Sequence, residues 1–499
     1  MTPIVAAPEP ADADASSAHT GGFDPHVGLI ATPVRSLLRR APITVPPTAS
    51  IREAAALMRD QRVSSLLIVE QSHLFGIVTD RDLRDRAVAA GLSTDEPIIE
   101  IATVAPLTID VGAMAFEALL LMARQNIRHV PVTEGSRLVG MVTATDLLER
   151  HSNSAVFLCG DLYAQQEIAG LQRVSLRIRE LQRDLVSADA TAYATGHVIT
   201  AVSDALTTRL LQLAEARLGP APVDYVWVAA GSQARNEQTA KSDQDNCLIL
   251  ADGYDETQHA DYFKALADFV CGGLDACGYV FCPGEMMAKT ATWRQPLGRW
   301  KEYFRRWTDE PDPAALMLTC VFFDQRAVYG STALLDELRH EVLQRTRGNG
   351  IFLAHMAGNA LSRQPPLGLF GRIATARSGE HRGTVDLKHT GIVPIVDLAR
   401  VYALAGGHAA VNTHERLQAA ALGEEVSPQS AHDLRDALEY LAITRVRHQA
   451  RQIAAGQPAD SFVALSELSN FERTQLKDAF AVVQTLQKVI EQRYRAGRF

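Results

Sequence analysis

The chain has 499 residues, 47% of them apolar, and a formal net charge of -9 from 49 Lys and Arg against 58 Asp and Glu. That length allows two to four domains with sizeable cores. The acidic balance argues against a general nucleic-acid binder, and no uninterrupted apolar run is long enough to span a bilayer.

The opening segment, "MTPIVAAPEPADADASSAHTGG", lacks the basic start and apolar block of a signal peptide. Its Ala/Pro/Asp/Ser composition predicts a disordered tail over residues 1–27. The six cysteines (Cys159, Cys247, Cys271, Cys277, Cys282, Cys320) form no C-x-x-C pair. They read as reduced thiols of a cytoplasmic protein, and no pair has zinc-ligand spacing.

A repeat follows, in which positions 64 residues apart match without a gap: "LFGIVTDRDL" (Leu74 to Leu83) with "LVGMVTATDL" (Leu138 to Leu147), and Glu53-Ala54 with Glu117-Ala118. Two copies of one unit therefore occupy residues 28–152, as 28–91 and 97–152. Each reads as helix, strand, strand, helix, with Ser50 and Glu53 as a capping box. So small a unit buries its open sheet face best against its twin. The repeat resembles a tandem pair of CBS (cystathionine beta-synthase) domains, through the signature G-h-h-T-x-x-D at Gly76 to Asp82 and Gly140 to Asp146. The resemblance implies that Thr79, Asp82, Thr143 and Asp146 face an adenine nucleotide between the units. The competing reading is that the two threonines only cap helices and the two aspartates favour the helix dipole. Such pairs often stack, so a homodimer is expected.

Residues 153–345 read as a helical linker leading into a mixed domain. Apolar positions recur at three and four from Asp161 to about Arg217. "GPAPVD" breaks the helix and "YVWVAA" begins a strand. Gly231-Ser232 then forms a tight turn, and "DQDNCLIL" carries Asp243 and Asp245 onto a second strand. Alternate strand residues share a face, so the two carboxylates project together with Gln244 opposite. Two adjacent carboxylates suit Mg²⁺ (or Mn²⁺) bound together with substrate phosphates, and a Gly-Ser turn lets backbone N–H groups approach a phosphate.

Gly231-Ser232, ten further residues and then Asp243-Gln244-Asp245 resemble the h-G-[GS] and D-h-[DE]-h pattern of DNA polymerase beta-like nucleotidyltransferases. The longer run G-S-x-x-R-x-E-Q-T-x-x-S-D-Q-D-N is similar to the protein-PII uridylyltransferase branch, and to signal-transduction nucleotidyltransferases that carry paired CBS domains. The resemblance implies metal ligation by Asp243 and Asp245. It implies NTP binding by Gly231 and Ser232, with Arg235, Lys241 and Ser242 beside them, and it implies a protein tyrosine as acceptor. Gln244 departs from the apolar residue of the pattern. The superfamily's third catalytic carboxylate has two candidates: Asp324, after the strand-like run Leu318 to Phe323, and Glu285. The alternative for Asp324 is an ion pair with Arg326, and for Arg235 a surface pair with Glu237.

Trp293, Trp300 and Trp307 recur every seven residues among Arg294, Arg299, Lys301, Arg305 and Arg306. Core packing is the reading for the tryptophans, with the basic residues at the mouth of a cleft. Residues 346–499 read as a helical bundle, which the resemblance identifies as a substrate-binding domain. Arg363 and Lys388 are weak candidates for facing the nucleotide, and His389 is given no role. His432-Asp433 lacks the partner histidines that a metal-dependent hydrolase would need.

The expected fold is thus α+β and multidomain: a CBS pair, a polymerase-beta-like nucleotidyltransferase domain and a C-terminal helical bundle. The expected activity is Mg²⁺-dependent, uridylyltransferase-like transfer of a nucleoside monophosphate from an NTP, regulated by an adenine nucleotide at the CBS pair, with neither nucleic acid nor membrane as partner. The alternative is a non-catalytic nucleotide-sensing scaffold.

Overall fold

A computed structural model describes residues 33–38, 41–71, 73–148, 154–312, 316, 319–368, 371–376 and 378–494. The tail expected over 1–27 lies outside them.

The repeat folds as two copies of one pattern. The hairpin Ser65–Glu70/His73–Thr79 pairs Ser65 with Thr79, and His129–Glu134/Arg137–Thr143 pairs His129 with Thr143. Even the register shifts correspond, falling at Ile68/Val69 and Val132/Thr133. In the first copy Ser50 and Glu53 form the expected capping box of helix Ile51–Gln61. In the second, helix Ala115–Gln125 is buried on two faces. Ala115, Ala118 and Met122 pack within their own unit, while Phe116 and Leu120 join a larger core with Leu158, Leu162 and Leu206. The second CBS unit is thereby bolted to the helices that follow.

Those helices are Ser154–Ala164, Ile168–Ser175, Arg177–Ser187 and the 27-residue Ala192–Leu218. The last is buried nearly all round and begins under a C-terminal residue: Glu439 accepts from the backbone N–H groups of Ala192, at 2.5 Å, and Tyr193, at 3.1 Å. A carboxylate there satisfies orphan donors at the positive end of the helix.

The central four-stranded sheet runs Arg294–Pro296, Asn246–Leu250, Tyr225–Ala230, Gln325–Gly330. Its central strand, "YVWVAA", is buried at all six positions, and the two-residue period divides it between two cores. Val226, Val228 and Ala230 face the C-terminal helices. Tyr225 and Trp227 face the N-terminal ones. The tryptophans are core residues: Trp300 is fully buried and donates its indole N–H to the Leu248 carbonyl at 2.9 Å. Among the basic residues beside them, Arg299 pairs with Glu302 and Lys301 with Glu337.

The C-terminal region comprises helices Gly350–Leu361, Val393–Gly406, Thr413–Leu422, Pro428–Ala454 and Asn470–Tyr494. One element departs from the helical expectation. Thr384–Asp386, part of the polar entry to the apolar helix, forms a short antiparallel pair with Phe462–Ala464.

Candidate functional site

The site begins where the central strand ends. Ala230 donates its N–H to the Asp245 carbonyl at 2.9 Å, and Gly231 follows at φ +56°. A Cβ on Gly231 would lie 2.6 Å from Oδ2 of Asp245 and 3.0 Å from Val321. Only glycine combines that φ with that approach. A helical turn falls on Gly231–Ala234. It is locked from below. Gln233 donates to Asp204 at 3.0 Å, and Arg326 donates both to Asp204, at 2.8 Å, and to the Gln233 carbonyl, at 2.9 Å. Arg326 therefore pairs with Asp204, not with Asp324.

Residues 235–242 form a stapled loop. The Ser242 hydroxyl accepts from the Thr239 N–H and donates to the Thr239 carbonyl, both at 3.1 Å. Arg235 donates to Glu237 at 2.7 Å, and Glu237 accepts the Thr413 N–H at 3.0 Å. Arg235 and Ser242 line a cavity above Asp243, and their polar groups also shape this loop. Lys241 is exposed at its rim.

Asp243 and Asp245 come together as the strand period requires, but the strand is interrupted. Asp243–Gln244 pairs in parallel with Val280–Phe281, while Asn246–Leu250 belongs to the main sheet. Gln244 points the other way and explains the break with the pattern. Its amide donates to the carbonyls of Cys271, at 3.1 Å, and Tyr279, at 3.0 Å, contacts that an apolar residue could not make. Burial, and next the charge of Asp243, push the Asp245 carboxyl up to about 6. One ligand atom from each of Asp243, Asp245 and Cys282 lies within 4.8 Å of the others. Two crowded carboxylates, one raised by the other, beside the glycine cradle, are a donor set that fits a divalent cation.

Asp324 is not part of this set, which corrects its assignment as a catalytic carboxylate. It is fully buried beneath three guanidinium groups, accepting from Arg235 at 2.5 Å, Arg400 at 2.6 and 2.9 Å, and Arg416 at 2.5 Å. Burial alone would raise its carboxyl; Arg400, Arg416 and Arg235 outweigh that and hold it well below the usual range. The strand expected before it is a 3-10 turn, Cys320–Phe323, and the strand follows as Gln325–Gly330. Asp324 thus sits beneath the sheet edge rather than at its mouth. Glu285, the other candidate, is exposed and stands outside the cluster.

Above Asp243 lies a cavity between the 235–242 loop, the start of helix Ala192–Leu218 and the C-terminal helices. Ser232, Lys241, Tyr193, Lys388, Leu438 and Arg445 are among its lining residues. Lys388 reaches 3.8 Å from Oδ1 of Asp243. Its neighbour His389 is turned onto Asp386 at 2.7 Å, and Arg363 does not line the cavity. Two residues that sequence reasoning missed stand out. Arg445 forms no ion pair among the described residues, its Nε is buried without a partner, and burial pushes it down to about 10. Gln238 is 2% exposed with its Oε1 also unpartnered. Buried polar atoms left unpaired on a cavity wall are what a bound polar ligand would satisfy. Arg445 lies mid-helix in an ordinary amphipathic pattern, so no local signal marked it.

In the CBS pair, Thr79 and Asp82 cap each other: the Asp82 carboxylate accepts the Thr79 N–H and hydroxyl at 2.9 and 2.7 Å. Thr143 and Asp146 repeat this at 2.9 and 2.6 Å. The capping reading is thus realised, and each motif also lines a cleft. One cleft, of about 500 Å³, is bordered by Thr79, Asp82, Arg81 and Arg128. The other, of about 330 Å³, is bordered by Thr143, Asp146 and Met141.

Residues 34–89 and 98–153 match the CBS domain, residues 176–314 the family described as "Putative nucleotidyltransferase DUF294", and residues 350–494 the "Putative nucleotidyltransferase substrate binding domain". The CBS domain-containing protein YhcV of Bacillus subtilis is 36% identical over 104 residues, 21% of this chain and 74% of that protein. The inosine-5'-monophosphate dehydrogenase of Korarchaeum cryptofilum is 37% identical over 119 residues, 24% of each chain. A solved CBS domain protein from Pyrobaculum aerophilum, complexed with AMP, is 32% identical and covers 26% of this chain and 97% of that one, with a TM-score of 0.23. No described helix is long and apolar enough to cross a membrane.

Proposed function

Because this chain belongs to the CBS-domain proteins, and continues from its CBS pair into regions matching a nucleotidyltransferase and its substrate-binding domain, we propose that it transfers a nucleoside monophosphate from an NTP to an acceptor hydroxyl under control of an adenine nucleotide in the CBS clefts. The observation that carries this reading is the contact of Gly231 with Asp245. It sets the glycine turn directly against the Asp245 carboxylate.

Ser232 and the turn's backbone N–H groups hold the terminal phosphates from one side. Lys388, which also reaches Asp243, and Arg445, whose Nε has no partner in the cavity, face them from the C-terminal domain. Asp243 and Asp245 hold a divalent cation, Mg²⁺ or Mn²⁺. When bound it supplies charge neutralisation at the phosphates and acidifies the acceptor. The acceptor oxygen bonds to the α-phosphorus, the bond to the bridging oxygen breaks, pyrophosphate departs with that electron pair, and the acceptor proton passes to solvent. A protein hydroxyl as acceptor, and a uridylyl group as cargo, come from the likeness to PII-modifying enzymes. The 500 Å³ CBS cleft, where Arg81 and Arg128 form no ion pair among the described residues, suits the phosphate of an adenine nucleotide.

The test is incubation of the protein with each α-labelled NTP, Mg²⁺ or Mn²⁺ and host lysate. The expected result is one labelled polypeptide, absent with an Asp243→Asn/Asp245→Asn variant that still folds. Full label transfer by that variant refutes the metal-ligand assignment. The position of Lys388 beside Asp243 favours the second reading, a nucleotide-sensing scaffold. Nucleotide binding without transfer for every NTP would select it.

A further inference from the structure

The polymerase-beta pattern calls for a third ligand, and neither acidic candidate supplies one. Asp324 is neutralised by three arginines, and Glu285 is exposed and outside the cluster. The position is occupied by sulfur. The parallel pairing of Val280 with Asp243 and Phe281 with Gln244 brings Cys282, the next residue, level with Asp245. Its Sγ and one oxygen from each aspartate lie within 4.8 Å of one another, the one such grouping of three metal-ligating side chains among the described residues. Cys159, Cys247, Cys271 and Cys277 are buried, whereas Cys282 is half-buried at the site. The cluster adjoins, at Asp243, a ligand-sized cavity on whose wall the Gln238 amide, 2% exposed, leaves its Oε1 unpartnered.

We infer that Cys282 is the third ligand of the cation held by Asp243 and Asp245, making a mixed oxygen–sulfur centre that selects a thiolate-accepting divalent transition ion such as Zn²⁺ or Co²⁺ over Mg²⁺. This rests on the cation site of the proposed transferase and refines its metal. A tetrahedral ion held at about 2.3 Å by sulfur and about 2.1 Å by oxygen would need donors roughly 3.6 Å apart, and the three ligand atoms lie within 4.8 Å of one another. The Sγ–metal bond forms as the thiol proton leaves to solvent. Thiolate ligands favour softer ions where carboxylate and water favour Mg²⁺, so the ion's identity is set by this one side chain.

The full-length protein, kept reduced, is titrated with Co²⁺, and the sulfur-to-cobalt charge-transfer absorption is followed. Zn²⁺ and Mg²⁺ affinities are measured by calorimetry. The wild type is expected to develop the band and to bind Zn²⁺ about a hundredfold more tightly than Mg²⁺. Cys282→Ser loses the band and about tenfold or more of the Zn²⁺ affinity while its Mg²⁺ affinity holds. Cys282→Asp, with three carboxylates, shifts the preference toward Mg²⁺. Bound Zn²⁺ also shields Cys282 from iodoacetamide in peptide mass spectra of the unmutated protein. Co²⁺ binding to the wild type without a band, a band that survives Cys282→Ser, or unshielded alkylation overturns the inference. If Asp243→Asn/Asp245→Asn binds Co²⁺ as the wild type does, the transferase's cation site itself is wrong. If that variant loses binding while Cys282→Ser changes nothing, only the role of Cys282 is.

Discussion

Arg235 donates to Oδ2 of Asp324 at 2.5 Å, and through that bond the loop beside the carboxylate pair is tied to a buried ion cluster under the C-terminal helices. Asp324→Asn would leave Arg235, Arg400 and Arg416 sharing a neutral partner, with only Glu237 and Asp397 to compensate. Removing one partner of such a buried network costs about 3–5 kcal/mol, read as a shift in urea unfolding at pH 7. The pH dependence has a definite sign. Because the folded carboxyl is held below its ordinary value, its contribution is complete above about pH 4 and declines as pH falls below that. The gap between wild type and Asp324→Asn should therefore narrow on acidification from pH 4. A gap that widens there contradicts the cluster's charge assignment.

Gly231→Ala tests the cradle. The added methyl meets Oδ2 of Asp245 at 2.6 Å at a positive φ, so the carboxylate must move. A stability loss of about 1–2 kcal/mol is expected from the backbone alone, together with loss of divalent-cation binding. Calorimetry with Mn²⁺ reads the second effect, and unchanged affinity would show that Asp245 tolerates displacement.

Arg445→Gln keeps the helix and removes the buried charge. Losing one charge-assisted contact to phosphate weakens NTP binding by about tenfold or more, since 1.4 kcal/mol corresponds to a factor of ten. Titration with a fluorescent NTP analogue measures it. The thermal midpoint should hold or rise, because the unliganded protein bears an unpaired buried cation there. A large fall in the midpoint would identify Arg445 as structural.

In the CBS pair two effects should separate. Asp82→Ala removes the reciprocal cap with Thr79 and costs about 1 kcal/mol. Arg128→Gln leaves the caps intact and should lower AMP affinity about tenfold in calorimetry on the full chain. Equal AMP binding by the wild type and Arg128→Gln would remove the larger cleft as the nucleotide site.

What the sequence disclosed was local or periodic. The repeat, the two motif caps, the Gly231 turn and the shared face of Asp243 and Asp245 each depend on residues a few positions apart, and each appears in the structure. The third ligand position did not show itself that way. Asp324 stood at a plausible distance from the motif, yet its arginines come from 76 and 92 residues further on. Cys282 has no partner at metal-ligand spacing along the chain; strand register alone brings it to the aspartates. Gln244 looked like a flaw in the pattern until its two carbonyl partners, 27 and 35 residues away, accounted for it.

The strand Tyr225–Ala230 is a party wall between two interiors, with alternate residues keyed into each. Neither side can melt without baring half of that wall to water, so heat or urea should dismantle the central and C-terminal regions in a single cooperative step. Cutting the chain between residues 314 and 350, where the family matches would part it, should yield two sticky halves instead of two modules.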